Sequence, residues 1–125
     1  RNADQRSLSQ IAAESRRLAA ACQSGKATQE DLAPGTFTVT NLGNLGVTSF
    51  TPVIYPPQAG ILGVGSIQPT PLFKQDGGDD DDVGFIPGLN LSLTMDHRAI
   101  DGAPAARFLQ ALGSALAEFE LTLAE

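Results

Sequence analysis

The sequence is poor in the residues that cross-link chains or bind polyanions. Its single cysteine, Cys22, cannot form a disulfide within the chain, and this is typical of proteins from reducing compartments. Eight lysines and arginines stand against fourteen aspartates and glutamates, which gives a net charge of −6. Without a basic cluster, nucleic acid and anionic membrane surfaces are disfavoured as partners. No apolar run approaches the roughly 20 residues that a transmembrane helix needs.

The residues that are present suit one packed domain. The chain has 125 residues, of which 42% are hydrophobic. Thirteen glycines and eight prolines are spread along it and predict many turns and bent strands. The sequence begins without methionine, a basic segment or an apolar segment, so Arg1 is expected to be an interior residue of a longer protein.

Apolar spacing predicts a helix near each end of the chain. Residues 7–24 repeat apolar side chains at helical intervals and begin with a Ser-x-x-Gln capping box. Residues 28–32 are expected to form one short helical turn. Residues 103–123 carry a longer apolar stripe and predict the last helix.

Between the helices, β-branched and alternating residues predict three or four strands. The expected strands are residues 36–41, 47–54, 59–67 and a long strand at 85–96, with a turn at 42–46. Residues 69–75 lead into an acidic segment, 76–82, which is expected to be a solvated hairpin tip or loop. The order helix, strands, helix predicts an α/β domain, more closely an α+β layered arrangement with a mostly antiparallel or mixed sheet.

The only histidine, His97, follows the longest predicted strand and precedes the last helix. Rigid scaffolds present reactive groups at such junctions. Because histidine ordinarily titrates near neutral pH, it suits the role of general base for a thiol. From the residues alone, a surface or core histidine is the more frequent case, and Asp101 has an ordinary role as a helix N-cap.

Two metal sites are also conceivable from composition. A pair of His97 and Asp101 offers only two ligands, which makes a metal site weak. The aspartates at 79–82 lack the spacing of an EF-hand loop, so a solvated run of charge is the favoured interpretation and no metal is expected.

Residues 96–103, Asp-His-Arg-Ala-Ile-Asp-Gly-Ala, resemble the active-site signature of the dihydrolipoamide acyltransferases, the E2 components of 2-oxoacid dehydrogenase complexes. Other stretches are similar to the family in the same order along the chain. These are Asn2-Ala3-Asp4 with Ser7-Leu8 and Ile11-Ala12, residues 35–43, 51–54, 56–59 and 61–63, and residues 105–109. Together the stretches cover nearly the whole chain.

The resemblance implies a fold and a place within a larger protein. The fold is an α/β two-layer sandwich similar to chloramphenicol acetyltransferase. Residues 1–125 are expected to be the C-terminal portion of the catalytic domain, because a whole catalytic domain is nearly twice as long. The lipoyl and peripheral-subunit-binding domains of the family are expected outside these residues.

The resemblance also implies an activity and residue roles. Family members transfer an acyl group from a dihydrolipoyl thioester to coenzyme A, at the boundary between two subunits of a trimer. His97 matches the general base, and Thr40 matches the hydroxyl that stabilises the oxyanion on the neighbour's His97. Asp101 is expected to organise the site through an ion pair with an arginine. In the related acetyltransferase fold that arginine lies in the N-terminal half of the domain, and Arg98 is a nearer candidate. Gly102 is expected to permit a tight turn from strand to helix.

Partners and location follow from the same resemblance. Trimers are expected to build a larger cage, and E1 and E3 components are expected to bind through other domains. Coenzyme A is a substrate, and the lipoyl group belongs to a domain that is not in this chain. The bacterial cytoplasm or the mitochondrial matrix is the expected location. Asn41-Leu42-Gly43 is less similar to the succinyl branch, which favours acetyl or branched-chain acyl groups. The alternatives are a catalytically incomplete assembly core that only trimerises and a metal-binding module.

Overall fold

The computed structural model describes residues 1–33, 35–73 and 83–119, and the chain divides into two units, Arg1–Thr36 and Phe37–Glu125. The first unit is helical. It contains a 3₁₀ helix, Ala3–Gln5, then α1, Leu8–Gln23, and the short α2, Gln29–Leu32. The helices predicted at 7–24 and 28–32 are therefore confirmed.

Both helices of the first unit begin with a capping box. At α1 the Ser7 hydroxyl accepts the backbone N–H of Gln10 at 3.3 Å, and the Gln10 side chain accepts the backbone N–H of Ser7 at 2.9 Å. Thr28 and Asp31 repeat this exchange at α2, at 3.2 and 3.0 Å. Each box satisfies two backbone donors that a helix start otherwise leaves without partners.

Arg17 ties the two helices of this unit together. Its Nη2 lies 2.9 Å from Glu14 Oε1 on α1 and 2.8 Å from Asp31 Oδ1 on α2. The hydrogen bond from Arg17, followed by those from Thr28, lowers the pKa of Asp31 to about 2. The Asp31 carboxylate thus serves both as a helix cap and as a tie between helices.

The second unit contains a sheet, a two-stranded ribbon and a helix. Its elements are β1 (Thr38–Asn41), β2 (Gly60–Val64), β3 (Gln68–Phe73), β4 (Val83–Gly88), β5 (Leu91–Met95) and α3 (Gly102–Ala117). The sheet has the order β1-β2-β5, with β1 parallel and β5 antiparallel to β2, and β3 pairs with β4 in the antiparallel ribbon. The predicted α+β class with a mixed sheet is confirmed.

The strand register assigns side chains to two faces of the sheet. Thr40, Gly63 and Ser92 lie opposite one another and therefore share one face. Phe50 covers that face, because its ring lies 3.0 Å from where a Cβ on Gly63 would stand. On the other face, α3 packs through Phe108, whose ring centroid is 5.9 Å from that of Phe37.

The core of this unit lies on the central strand. Ile61 and Leu62 on β2 are only 5% and 7% exposed, although they point to opposite faces of the sheet. Ala105 on α3 is also buried. Both faces of β2 are therefore covered, whereas β1 and β5 are the two edge strands of the three.

The strand predicted at 47–54 is wrong. The structure assigns no strand there, and the segment is held by single bonds, such as the Ser66 N–H donating to the Val47 carbonyl at 2.8 Å. Pro52 and the Pro56–Pro57 pair lack the N–H groups that a ladder needs. The turn at 42–46 is confirmed as a 3₁₀ helix, Gly43–Leu45.

The single strand predicted at 85–96 is two strands in the structure. β4 pairs with β3 and β5 pairs with β2, so the chain changes partners at residues 89–90. β3 itself was not predicted, since residues 69–75 were expected only to lead into the acidic segment, and its Pro69 and Pro71 are unusual in a strand. Residues 74–82, which include the whole acidic segment, lie outside the described residues.

The last predicted helix is confirmed as α3, which begins one residue earlier, at Gly102. The end of the predicted range, 120–123, lies outside the described residues. Among the helices that the structure describes, none combines the length and apolar character needed to cross a membrane.

Candidate active site

A tight turn at the end of β5 presents the only histidine. The Asp96 N–H donates to the Ala59 carbonyl at 2.9 Å, which extends the pairing of β2 and β5 by one residue. The Asp96 carbonyl then accepts the N–H groups of both Ala99 and Ile100 at 2.9 Å. His97 stands inside this turn, and its side chain is 71% exposed. The imidazole is thus held on a fixed backbone and open to a ligand.

The carboxylate of Asp96 closes the same turn. It accepts the backbone N–H of Arg98 at 3.0 Å and the guanidinium Nε and Nη2 at 2.9 and 2.7 Å. The guanidinium hydrogen bond, with that of the backbone, lowers the pKa of Asp96 to about 2. The expected pairing of Arg98 with Asp101 is wrong in the described structure, because the planar guanidinium fork fits the nearer carboxylate.

Asp101 stands at the N-cap of α3, but its side chain makes no capping hydrogen bond. Its Oδ1 lies 4.0 Å from Nδ1 of His97, and the side chain is 85% exposed. This distance is too long for a hydrogen bond. The carboxylate can nevertheless attract a protonated imidazole, so the structure brings these two predicted site residues together.

Gly102 differs from its expected role. It is the first residue of α3, and its φ is not positive. A Cβ placed on it would meet no described atom within 4 Å. The turn from strand to helix therefore does not require a glycine here, and the tightness comes from the hydrogen bonds of Asp96.

Thr40 lies on β1, level with Gly63 of β2 and Ser92 of β5. Met95 is three residues further along β5, so two strand spacings and three residues separate it from Thr40 by about 14 Å. His97 is two residues beyond Met95. The register therefore places Thr40 apart from the end of β5 that leads to His97.

A cavity of about 570 Å³ opens at the other end of the sheet from His97. It lies where the parallel strands β1 and β2 end, and it is lined by Asn41, Gly43, Asn44, Gly46, Val64, Gly65, Ser66, Ile67, Gln68 and Leu89. Asn41 directly follows Thr40 in the chain. The cavity thus adjoins the Thr40 end of the sheet, and His97 does not line it.

Sequence reasoning missed two polar residues near His97. Asp96 belongs to the signature, but the sequence assigned it no role, although aspartate side chains commonly accept the backbone N–H two residues on in an Asx turn. Gln58 precedes Ala59, and its Oε1 accepts the Thr38 hydroxyl at 2.6 Å in a partly buried position. No local pattern predicted that contact, because the two residues are 20 apart. Among the described residues, no group of three or more His, Cys, Asp or Glu is placed to hold a metal ion.

Comparison with protein families gives a match over residues 1–124, to the 2-oxoacid dehydrogenases acyltransferase (catalytic domain). A mitochondrial lipoamide acyltransferase component of the branched-chain alpha-keto acid dehydrogenase complex, from Caenorhabditis elegans, is 40% identical over 108 residues. That alignment covers 86% of this chain and 23% of the relative.

Two solved structures are similar to this chain over 98% of its length, each with a TM-score of 0.84 and 42% identity. One is Azotobacter vinelandii dihydrolipoamide acetyltransferase, studied for the role of a serine, a histidine and an asparagine in catalysis. The other is the cubic core of a pyruvate dehydrogenase multienzyme complex. The chain covers 49% of each solved chain and less than a third of the curated relatives it matches. The match confirms the fold class similar to chloramphenicol acetyltransferase.

Proposed function

The chain belongs to the 2-oxoacid dehydrogenase acyltransferase family, and from that premise we propose that it is the C-terminal portion of a catalytic domain that transfers an acyl group from a dihydrolipoyl thioester to coenzyme A. The observation that carries the proposal is the setting of His97. The only imidazole of the chain is exposed, fixed by a hydrogen-bonded turn and placed 4.0 Å from a carboxylate.

In the proposed reaction His97 takes the proton from the thiol of coenzyme A. The thiolate is the competent nucleophile and attacks the acyl carbonyl carbon. The tetrahedral intermediate then expels the dihydrolipoyl sulfur, which receives the proton back from the imidazolium. Asp101 is the carboxylate beside the proposed base, with its Oδ1 4.0 Å from Nδ1 of His97.

Thr40 is the proposed donor to the oxyanion of the tetrahedral intermediate, acting on the His97 of a neighbouring copy. Two findings support the proposed site. Thr40 and His97 lie at opposite ends of the same sheet, so a site that uses both draws on two chains. In the similar acetyltransferase from A. vinelandii, a serine, a histidine and an asparagine were studied for catalysis, and that histidine and asparagine are four residues apart, as His97 and Asp101 are.

Self-association is the second part of the proposal, as trimers that build a larger cage. Apolar side chains of the second unit remain uncovered in the chain, including Val39 at 63%, Val53 at 86% and Phe85 at 68% exposure. Large exposed patches of apolar side chains are rare on monomeric proteins, and they commonly mark surfaces that contact other protein. The similarity to a solved cubic core also supports self-association.

The acyl group is proposed to be acetyl or branched-chain acyl. The solved relative is an acetyltransferase, and the relative from C. elegans serves a branched-chain complex. We expect the lipoyl group and the contacts to E1 and E3 components to come from other domains. The expected location is the bacterial cytoplasm or the mitochondrial matrix.

Acyl transfer by the assembled protein tests the function directly. The assay supplies acetyl-dihydrolipoamide or a branched-chain acyl-dihydrolipoamide with coenzyme A and measures acyl-coenzyme A by chromatography. His97→Ala should lower kcat by about 10² to 10⁴-fold, the usual contribution of a general base. Asp101→Asn should be milder, because the base remains. If the wild-type assembly transfers neither group, the chain is an assembly core; if His97→Ala keeps its kcat, the base is assigned wrongly.

A further inference from the structure

The geometry points to Asp96 as the positioning residue for His97, acting through the turn that it closes with Arg98. Asp96 does not contact the reacting thiol in this scheme. Its effect is to fix the backbone on either side of the imidazole. The inference rests on the proposed function, since it concerns how the proposed base is aimed.

Asp96 uses every hydrogen-bonding group that it has. Its N–H joins the turn to β2 through the Ala59 carbonyl, and its carbonyl accepts Ala99 and Ile100. Its carboxylate accepts the backbone N–H of Arg98. His97 is therefore enclosed between an anchor to the sheet on one side and two backbone bonds on the other.

The side-chain fork adds a second closure over the same residue. The guanidinium of Arg98 meets both oxygens of Asp96, with Nε to Oδ1 at 2.9 Å and Nη2 to Oδ2 at 2.7 Å. An exposed ion pair contributes little to global stability. A bidentate pair that spans only one residue, however, restricts the backbone of that residue, which here is His97.

The fork also balances charge around the imidazole. Asp96 and Asp101 place two carboxylates on either side of His97, and Arg98 neutralises the first of them. Ala59, the residue before β2 that accepts the Asp96 N–H, adds no charge to this surrounding. Loss of Arg98 therefore leaves Asp96 as an unpaired carboxylate one residue from the base.

The test measures kcat and KM of the assembled protein for three single variants and one double variant. Asp96→Ala removes both closures and should lower kcat about 10 to 100-fold at unchanged KM, because displacement of a catalytic group by about 1 Å can cost that much. Asp96→Asn keeps an oxygen for the backbone N–H and should lose less. Arg98→Gln removes only the fork. Because Asp96→Asn and Arg98→Gln disturb the same pair, the double variant should lose no more kcat than the more impaired single variant.

Arg17→Gln is the matched control, because it breaks a comparable exposed guanidinium–carboxylate pair in the first unit. It should lower the midpoint of thermal unfolding without changing kcat. A structure of the assembled Asp96→Ala variant gives a readout that does not depend on activity. In it, the His97 ring should be displaced or spread over several orientations.

Two results would overturn the positioning role while the acyltransferase function stands. The first is an Asp96→Ala variant whose kcat is within about twofold of wild type, because a loss of that size is much smaller than misplacement of the base should cause. The second is an Arg98→Gln variant that raises only the KM for coenzyme A, which would make Arg98 a substrate contact. If the wild-type protein transfers no acyl group, the proposed function fails, and an unmoved His97 ring in Asp96→Ala would then refute the positioning role as well.

Discussion

Mixing two inactive variants tests whether Thr40 and His97 act from different copies. A Thr40→Ala chain keeps the base and lacks the oxyanion donor, whereas a His97→Ala chain keeps the donor and lacks the base. Each should be impaired when assembled alone. A site built from one chain of each kind contains both groups, so co-assembly should restore activity that neither variant has.

The size of the effect follows from the sheet geometry. Thr40 and the end of β5 are separated by about 14 Å within one chain, so the proposed site draws its donor and its base from two chains. Removal of one oxyanion donor typically costs about 10² to 10³-fold in kcat. When two variants assemble at random in equal amounts around a closed ring, about one quarter of the sites receive both intact groups.

The assay compares kcat per chain for co-expressed assemblies that carry different affinity tags, purified through both tags. The mixture should reach about one quarter of wild-type activity, and wild type mixed with His97→Ala should reach about one half. Thr40→Ser is the matched control, because it keeps the hydroxyl and should remain active. If the mixture has no more activity than the sum of its parts, the two residues do not act across copies.

Two further predictions concern stability. A Cβ on Gly43 would lie 2.5 Å from the Gly65 carbonyl oxygen, so Gly43→Ala should destabilise the protein by about 1–3 kcal/mol, whereas Gly113→Ala, with no atom within 4 Å, should stabilise it by about 0.5–1 kcal/mol. Thermal unfolding followed by circular dichroism checks both, and midpoints that move in the same direction would contradict the packing described. The Asp31 pKa is lowered from 3.8 to about 2, so its contribution is complete above the unfolded value and is lost as pH falls through 3.8 towards 2. Asp31→Asn should flatten the fall of stability over that pH range, and an unchanged profile would rule out the tie to Arg17.

The helices were predictable because their signals are local. The capping box and the apolar period of α1 lie within the helix that they define. The alternation of β5 was equally clear, whereas β3 was hidden by Pro69 and Pro71. Proline disfavours a central strand, which needs the N–H groups on both of its edges. A strand of a two-stranded ribbon pairs along one edge only, so it needs only every second N–H group. The sequence alone does not distinguish these two kinds of strand.

The arrangement of the candidate site residues was predictable only where it is local in the sequence. His97 and Asp101 are close because they are close in sequence. The partner of Arg98 was predicted wrongly, because the choice between Asp96 and Asp101 depends on how the turn is closed. The separation of Thr40 from His97 depends on strand order, which only the fold provides.

In the proposed mechanism, the placement of Thr40 and His97 at opposite ends of the sheet gives each copy two half-sites, a donor at one end and a base at the other. An open pair of copies would complete one site and leave two halves unmatched, whereas a closed ring completes as many sites as it has members. Ring closure would then act as the step that turns catalysis on, and dilution below the closing concentration should silence the protein without unfolding it.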